Sequence, residues 1–207
     1  MKLFIVFDGI DGNGKTTQAK LLEKWLEEKG FSVFYTSEPS ESEYGKTIEI
    51  LLRKRTAASI PKEKWIELFT KDRKEHVKTI KAFLKQDKIV ISDRYYYSTL
   101  AYQLSEEKWQ DYASLFLKPD LTFILDLPAT VAMERLRKKY KITKEKKAYF
   151  EKLKILRKAR KKFLLLPNYL DDNIKIINSN RPIKNVSEDI KKEVLLLIKS
   201  FDKKSKL

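Results

Sequence analysis

The sequence predicts an α/β fold: a doubly wound, five-stranded parallel sheet flanked by helices. Three observations predict it. Short β-branched and apolar runs alternate along the chain with longer segments whose apolar residues fall at helical spacing. That alternation implies a parallel sheet with helices on both faces, each strand returning by a crossover helix. Three of the five glycines, Gly9, Gly12 and Gly14, gather where the first strand meets the first helix.

The elements follow in order. Residues 3–7 form an apolar strand that leads into the glycines. Leu22, Trp25 and Leu26 mark a helix that Gly30 stops. Residues 31–35 are a second strand; after Pro61 a long helix carries Trp65, Phe69, Val77, Ile80 and Leu84. Residues 89–91, 121–127 and 174–177 complete the strands, and a final helix holds Val194 and Ile198, with Asn185 or Ser187 as its cap. The lysine-rich stretch 138–147 has few apolar residues and reads as a mobile excursion, and 203–207 as a frayed tail. No repeat or low-complexity linker divides the 207 residues, so a single domain is expected.

Composition removes several chemistries. With 42% hydrophobic residues the chain can bury a sizeable core. There is no cysteine, and His76 is the only histidine, which excludes disulfides, thiol catalysis and Cys- or His-rich metal clusters. No apolar run approaches the ~20 residues that span a bilayer. Lys2 leads straight into the first strand, so no leader is expected and the cytosol is the expected compartment. The charge is +16, which calls for anionic partners. Residues 134–162 alone hold 15 Lys/Arg against 3 Asp/Glu. The charged fraction of 36%, dominated by lysine, fits a protein from a hot environment.

The glycines belong to Gly9-Ile10-Asp11-Gly12-Asn13-Gly14-Lys15-Thr16-Thr17, which is G-x-x-x-x-G-K-[ST] between a strand and a helix. Glycines let the backbone wrap a phosphate with its N–H groups pointing inward, and the helix dipole adds favourable potential. Lys15 is placed to reach β- and γ-phosphates, and the Thr16 hydroxyl to ligate Mg²⁺. The loop predicts ATP-type chemistry without naming a reaction. The absence of Asn-Lys-x-Asp counts against GTPases, and the length against a helicase or motor. Two strands end in an acid that could serve the metal, at Asp93 and at Asp126; Arg94 beside Asp93 suits a phosphate clamp.

Five segments in order, Phe7 to Gln18, Ser37-Glu38-Pro39, Leu68 to Arg73, Asp93 to Gln103 and Pro119 to Pro128, resemble the thymidylate kinases. The resemblance covers roughly residues 3–137 and continues more loosely to about 200. It implies a P-loop nucleotide kinase that transfers phosphate from ATP to dTMP with Mg²⁺, held by Thr16 and Asp93. It further implies that Asp11 accepts the 3′-hydroxyl, Arg94 clamps the acceptor phosphate, Phe69 stacks on thymine and Arg73 donates to its O4. Ser98, Thr99 and Gln103 fall at dTMP-contacting positions, Tyr102 where a ring crowds C2′, and Glu38 with Pro39 in the acceptor turn. Arg135 matches an arginine packed on adenine, and Asn180-Arg181-Pro182 the loop on the base's other face. Homodimers are common in the family.

The chain departs from the family in two places. Where the family often reads Thr-Arg-Glu-Pro-Gly-Gly, this chain has Thr36-Ser37-Glu38-Pro39-Ser40-Glu41, without the arginine and both glycines. The phosphate loop lacks the arginine that one subgroup carries, so catalytic positive charge is expected from a basic lid around 138–147. That lid has lysines such as Lys141, Lys144, Lys146 and Lys147 and no arginine, with Arg137 and Arg157 as nearby substitutes. Two rivals stand beside this reading: a kinase for another pyrimidine nucleotide or deoxynucleoside, and a nucleic-acid-binding P-loop ATPase. The second lacks a recognisable nucleic-acid module, and no membrane role is expected.

Overall fold

The computed structural model describes residues 1–144 and 148–204. Strands β1 (Leu3–Asp8), β2 (Val33–Ser37), β3 (Ile89–Asp93), β4 (Leu121–Asp126) and β5 (Ile174–Asn178) form one sheet in the order β2-β3-β1-β4-β5, every pair parallel. Its helices are α1 (Lys15–Glu28), α2 (Glu43–Leu52), α3 (Lys62–Leu84), α4 (Tyr96–Gln103), α5 (Trp109–Ser114), α6 (Ala129–Thr143), α7 (Leu153–Leu165) and α8 (Ile183–Lys204). β1 lies between β3 and β4, so the strand order reverses there. A crevice opens beyond the carboxyl ends of such strands, and ligands bind in it.

The alternation of side chains along each strand divides the core into two layers. Phe4, Val6, Val90 and Ile124 face α3, α4, α5 and α7 through Ile80, Leu100, Trp109, Leu156 and Phe163. Leu3, Ile5, Ile89, Ile91 and Phe123 face α1 and α8 through Leu22, Leu26, Val186, Ile190 and Val194. Strands buried on both faces read as unbroken apolar runs, which is why β1 and β3 stand out in the sequence. No described helix is long and apolar enough to cross a membrane.

Three boundaries differ from expectation. Phe31 does not start β2, which begins at Val33. The N–H groups of Lys29 and Phe31 bond to Leu26 O and that of Gly30 to Glu27 O, closing α1, with Gly30 at φ 86°. α8 starts directly after Pro182, whose carbonyl accepts from the Asn185 and Val186 N–H groups; Asn185 and Ser187 are therefore interior residues, not caps. Residues 138–143 are no excursion: they continue α6, which ends at Lys144 (φ 55°). Lys146 and Lys147 lie outside the described residues, as does 205–207, whereas 203–204 finish α8.

Away from the crevice, Asp172 joins α4 to the turn before β5. Its carboxylate accepts from the Tyr96 hydroxyl and from the Tyr97 hydroxyl at 2.7 Å, and Tyr97 accepts from Thr122 at 2.9 Å. The Asp172→Ala variant leaves the Tyr96 and Tyr97 hydroxyls, 3.1 Å apart, only each other as acceptors, so one buried phenol loses its acceptor, at a cost of about 2–3 kcal/mol. Its calorimetric midpoint should fall by roughly 4–12 °C. An unchanged midpoint would place that stabilisation elsewhere.

Candidate active site

The turn from β1 into α1 sits in the crevice, and its glycines are there for two reasons. Gly9, Gly12 and Gly14 have φ of 129°, 83° and 90°, which side chains resist. A Cβ would also stand 2.7 Å from Leu125 O at Gly9 and 2.5 Å from Ala132 O at Gly12. The buried Asn13 side chain ties the loop to β4, donating to Leu125 O at 3.0 Å and accepting from the Lys15 N–H at 3.0 Å. Lys15 is buried, with Nζ 3.4 Å from the carbonyls of Gly9 and Ile10 and 3.6 Å from the Asp11 carboxylate. Burial, then the neighbouring Arg94 charge, pushes its pKa down. Residues 11–17 line a cleft of about 730 Å³; Gly9 and Ile10 do not line it, and Ile10 belongs to the core.

At the end of β3 the Thr16 hydroxyl donates to Asp93 Oδ2, which also accepts from Tyr35 at 3.3 Å. The other oxygen, Oδ1, is buried without a hydrogen-bond partner. Asp126, the second acid at a strand end, is held instead by Arg160 through two bonds of 2.7 and 2.9 Å. Next to Asp93, Arg94 takes the left-handed φ of 82° and donates its N–H to Phe7 O at 2.7 Å. This sparsely populated backbone conformation directs its guanidinium to Asp11 and, at 2.7 Å, to Ser98 Oγ. Burial would raise the Asp11 carboxyl, but Arg94 and then Lys15 outweigh it and hold it below the usual range. Ser98 meanwhile donates to Asp8 at 2.7 Å, so it connects two charged side chains.

Sequence reasoning missed Asp8. Buried at the end of β1, it accepts from the N–H groups of Gly9 (2.8 Å), Tyr95 (3.1 Å) and Ser98 (3.0 Å). It therefore caps α4 from another strand, and burial raises its pKa. Only its place at the strand end, level with the phosphate loop, could have signalled it.

The facing wall is one side of α3. Phe69, Asp72, Arg73 and His76 recur at i, i+3, i+4 and i+7 and share a face. Phe69 is half-buried in the cleft wall, 6.0 Å from the Trp65 ring. Arg73 is fully buried, and all five of its N–H donors are engaged: with Glu38 (down to 2.6 Å), Tyr95 O (3.3 Å), Tyr112 (3.0 Å) and Thr99 (3.3 Å). His76 bridges Glu38 at 3.1 Å and Thr36 at 2.7 Å, and Asp72 accepts from Ser40 and Ser42. These two roles were also invisible in the sequence except through their spacing from Phe69. The buried Thr99 and Gln103 line the cleft. Tyr102 packs 5.5 Å from Phe150, its hydroxyl facing the Asp11 backbone without closing a hydrogen bond.

Arg135 reaches the cleft beside Gly14 and donates to Ser179 O at 3.2 Å. Arg181 turns away, to Asn178 O at 3.1 Å and to Asp189, and does not line the cleft. Arg137 and Arg157 are exposed and do not line it either; Lys139 and Arg53 do. The segment after the undescribed residues approaches the end of α2, where the Tyr149 N–H donates to Leu52 O at 3.0 Å.

The buried Glu38 sets an acid limit. Burial would raise its carboxyl, but Arg73 and then His76 hold it below its ordinary 4.5. Its contribution to stability is therefore complete above that value and is lost as pH falls through the lower, folded one. Glu38→Gln should cost about 3–5 kcal/mol near pH 7, because Arg73 is left uncompensated. In urea unfolding the gap to the parent should narrow below pH 4.5; a gap independent of pH would refute the pairing.

The family model described as thymidylate kinase matches residues 7–190. A protein named probable thymidylate kinase from Thermococcus kodakarensis is 40% identical over 200 residues, covering 91% of this chain and 95% of that one. Counterparts of the same name from Pyrococcus abyssi (40% over 196 residues, 90% and 93%) and Methanocaldococcus jannaschii (36% over 203 residues, 96% and 97%) match as fully. A match spanning most of the chain, on a parallel sheet with a phosphate loop at its strand-order reversal, leaves one conclusion: the chain belongs to the thymidylate kinase family of nucleoside monophosphate kinases.

Proposed function

We propose that the protein catalyses ATP + dTMP → ADP + dTDP. The carrying observation is that one cleft joins the phosphate loop to the α3 wall, with Arg94 and Asp11 between them. Residues 11–17 and Arg135 hold ATP, Lys15 faces the transferred phosphoryl and Arg94 the acceptor phosphate. Holding two anions in line and neutralising the charge between them supplies most of the rate. Thr16 and Asp93 suit Mg²⁺: a hydroxyl meets one carboxylate oxygen, and the other oxygen is buried without a partner. When bound, the ion neutralises charge on the phosphates. Asp11, kept ionised by Arg94 and Lys15, accepts the 3′-hydroxyl.

The base site follows from the engaged state of Arg73. With Phe69 stacked on thymine, O4 takes the Nη1 hydrogen now spent on Thr99, a long bond of 3.3 Å. The released Thr99 hydroxyl then accepts from N3–H. Cytosine presents an amino group and a bare ring nitrogen at these positions, so it would set donor against donor. The segment around 138–147 serves as a lid, with Lys139 reaching the cleft from its base. Family membership alone carries the remaining features of the reading, a cytoplasmic homodimer.

Two experiments test the reading. Lys15→Ala should lower kcat more than ~100-fold, since it removes a charge aimed at the transferring group. Its circular dichroism should match the parent's; near-parental turnover would overturn the loop assignment. The second compares kcat/KM across monophosphates. dCMP should be very poor, and dUMP weaker than dTMP by about 10–200-fold, the value of one methyl group. UMP should be poorer than dUMP, because Tyr102 crowds a 2′-hydroxyl, and Tyr102→Ala should narrow that last gap. Equal rates for dCMP and dTMP would sink the base site.

A further inference from the structure

Behind the acceptor wall lies a second cavity of about 310 Å³, between the start of α3, the end of α4 and α7. It is separate from the nucleotide cleft but shares a partition with it, formed by Tyr102, Gln103 and Phe150. Its inner wall is aromatic, with Trp65 meeting Phe150 edge-on at 5.5 Å. Trp65 is 2% exposed, and its indole N–H has no acceptor. An orphaned donor of this kind costs roughly 1–3 kcal/mol, and native proteins keep few of them.

The rim has the opposite character. Lys62, Lys154 and Lys158 line it, all exposed, and among the described residues no carboxylate lines the cavity. Among the described residues none of the three lysines forms an ion pair. Lys154 and Lys158 come from the strongly basic stretch 134–162, and neither reaches the nucleotide cleft. A flat wall, a buried donor awaiting an acceptor and unpaired cations at the mouth together describe one kind of ligand. It is a planar ring bearing a carbonyl, joined to an anionic tail.

We propose that this cavity is a second, non-catalytic nucleotide site. It takes a nucleoside diphosphate whose base carries a ring carbonyl. The base lies on the aromatic wall with its carbonyl on the Trp65 N–H, and the phosphates meet the three lysines. dTDP has this chemistry, and naming it rests on the reaction proposed above; the site itself rests on the cavity. Because Tyr102 and Gln103 belong to both spaces, a nucleotide here presses on the acceptor subsite from behind. It inhibits in a way that saturating dTMP does not relieve.

The test uses the full chain with its catalytic cleft already filled. A bisubstrate compound, adenosine and thymidine joined through five phosphates, fills both subsites, and its one-to-one binding is measured first by calorimetry. Failure of that step would count against the proposed reaction and not against the second site. dTDP is then titrated into the filled enzyme. A second saturable event is expected, weakened about tenfold or more by Lys154→Glu/Lys158→Glu and about fivefold by Trp65→Phe. Both variants should keep their affinity for the bisubstrate compound within about twofold, since none of these residues lines the cleft. Thymidine alone and pyrophosphate alone should each bind at least about tenfold more weakly than dTDP. No heat from dTDP on the filled enzyme would overturn the proposal. Unaltered dTDP affinity in the double lysine variant, or pyrophosphate binding as well as dTDP, would do so equally.

Discussion

Much of the site hangs on one buried carboxylate. Asp8 is fully enclosed, and burial of an ionised acid is costly unless donors replace its lost water. Four donors do so: one from the phosphate loop, and three from the loop and first turn of α4. The same residue therefore sets the entry to the loop and the position of α4. Through Ser98 it also sets the Arg94 guanidinium, which in turn holds Asp11. The two halves of the cleft come from distant parts of the sequence yet share this single anchor.

The opposite wall is fixed by a different principle. Glu38 and Arg73 form a buried ion pair, which is weak evidence for stability because desolvation offsets most of the attraction. Its geometry is what matters. With Nε and Nη2 fixed by Glu38, and Glu38 fixed by His76, the guanidinium plane is set before any ligand arrives. Asp72 does similar service for residues 40–42, where Ser40 and Glu41 stand in place of the two glycines usual in the family. The turn is thus held by hydrogen bonds from α3.

The central strands were legible in the sequence because burial on both faces leaves unbroken apolar runs, and the phosphate loop because its parts are contiguous. What the sequence hid was direction and distance. Asp8, Asp72 and His76 meet partners between 30 and 90 residues away, a relation that periodicity cannot encode. Phe31 looked like a strand residue because it is apolar, but its N–H finishes α1. The lysines of 138–143 looked irregular because they lack an apolar stripe; lysine is nevertheless a good helix former, and α6 runs through them. Arg181 shows that a motif can place a residue near a site without saying which way its side chain turns.

The bond between the Tyr149 N–H and Leu52 O has an evolutionary consequence. It is made by main chain on both sides, so it does not depend on which side chains occupy those positions. Drift at either residue leaves the link standing, unless proline at 149 removes the donor. Residues 149 and 52 can therefore exchange their side chains freely, altering charge and bulk at that edge of the cleft, while the main chain before α7 keeps the same hold on α2.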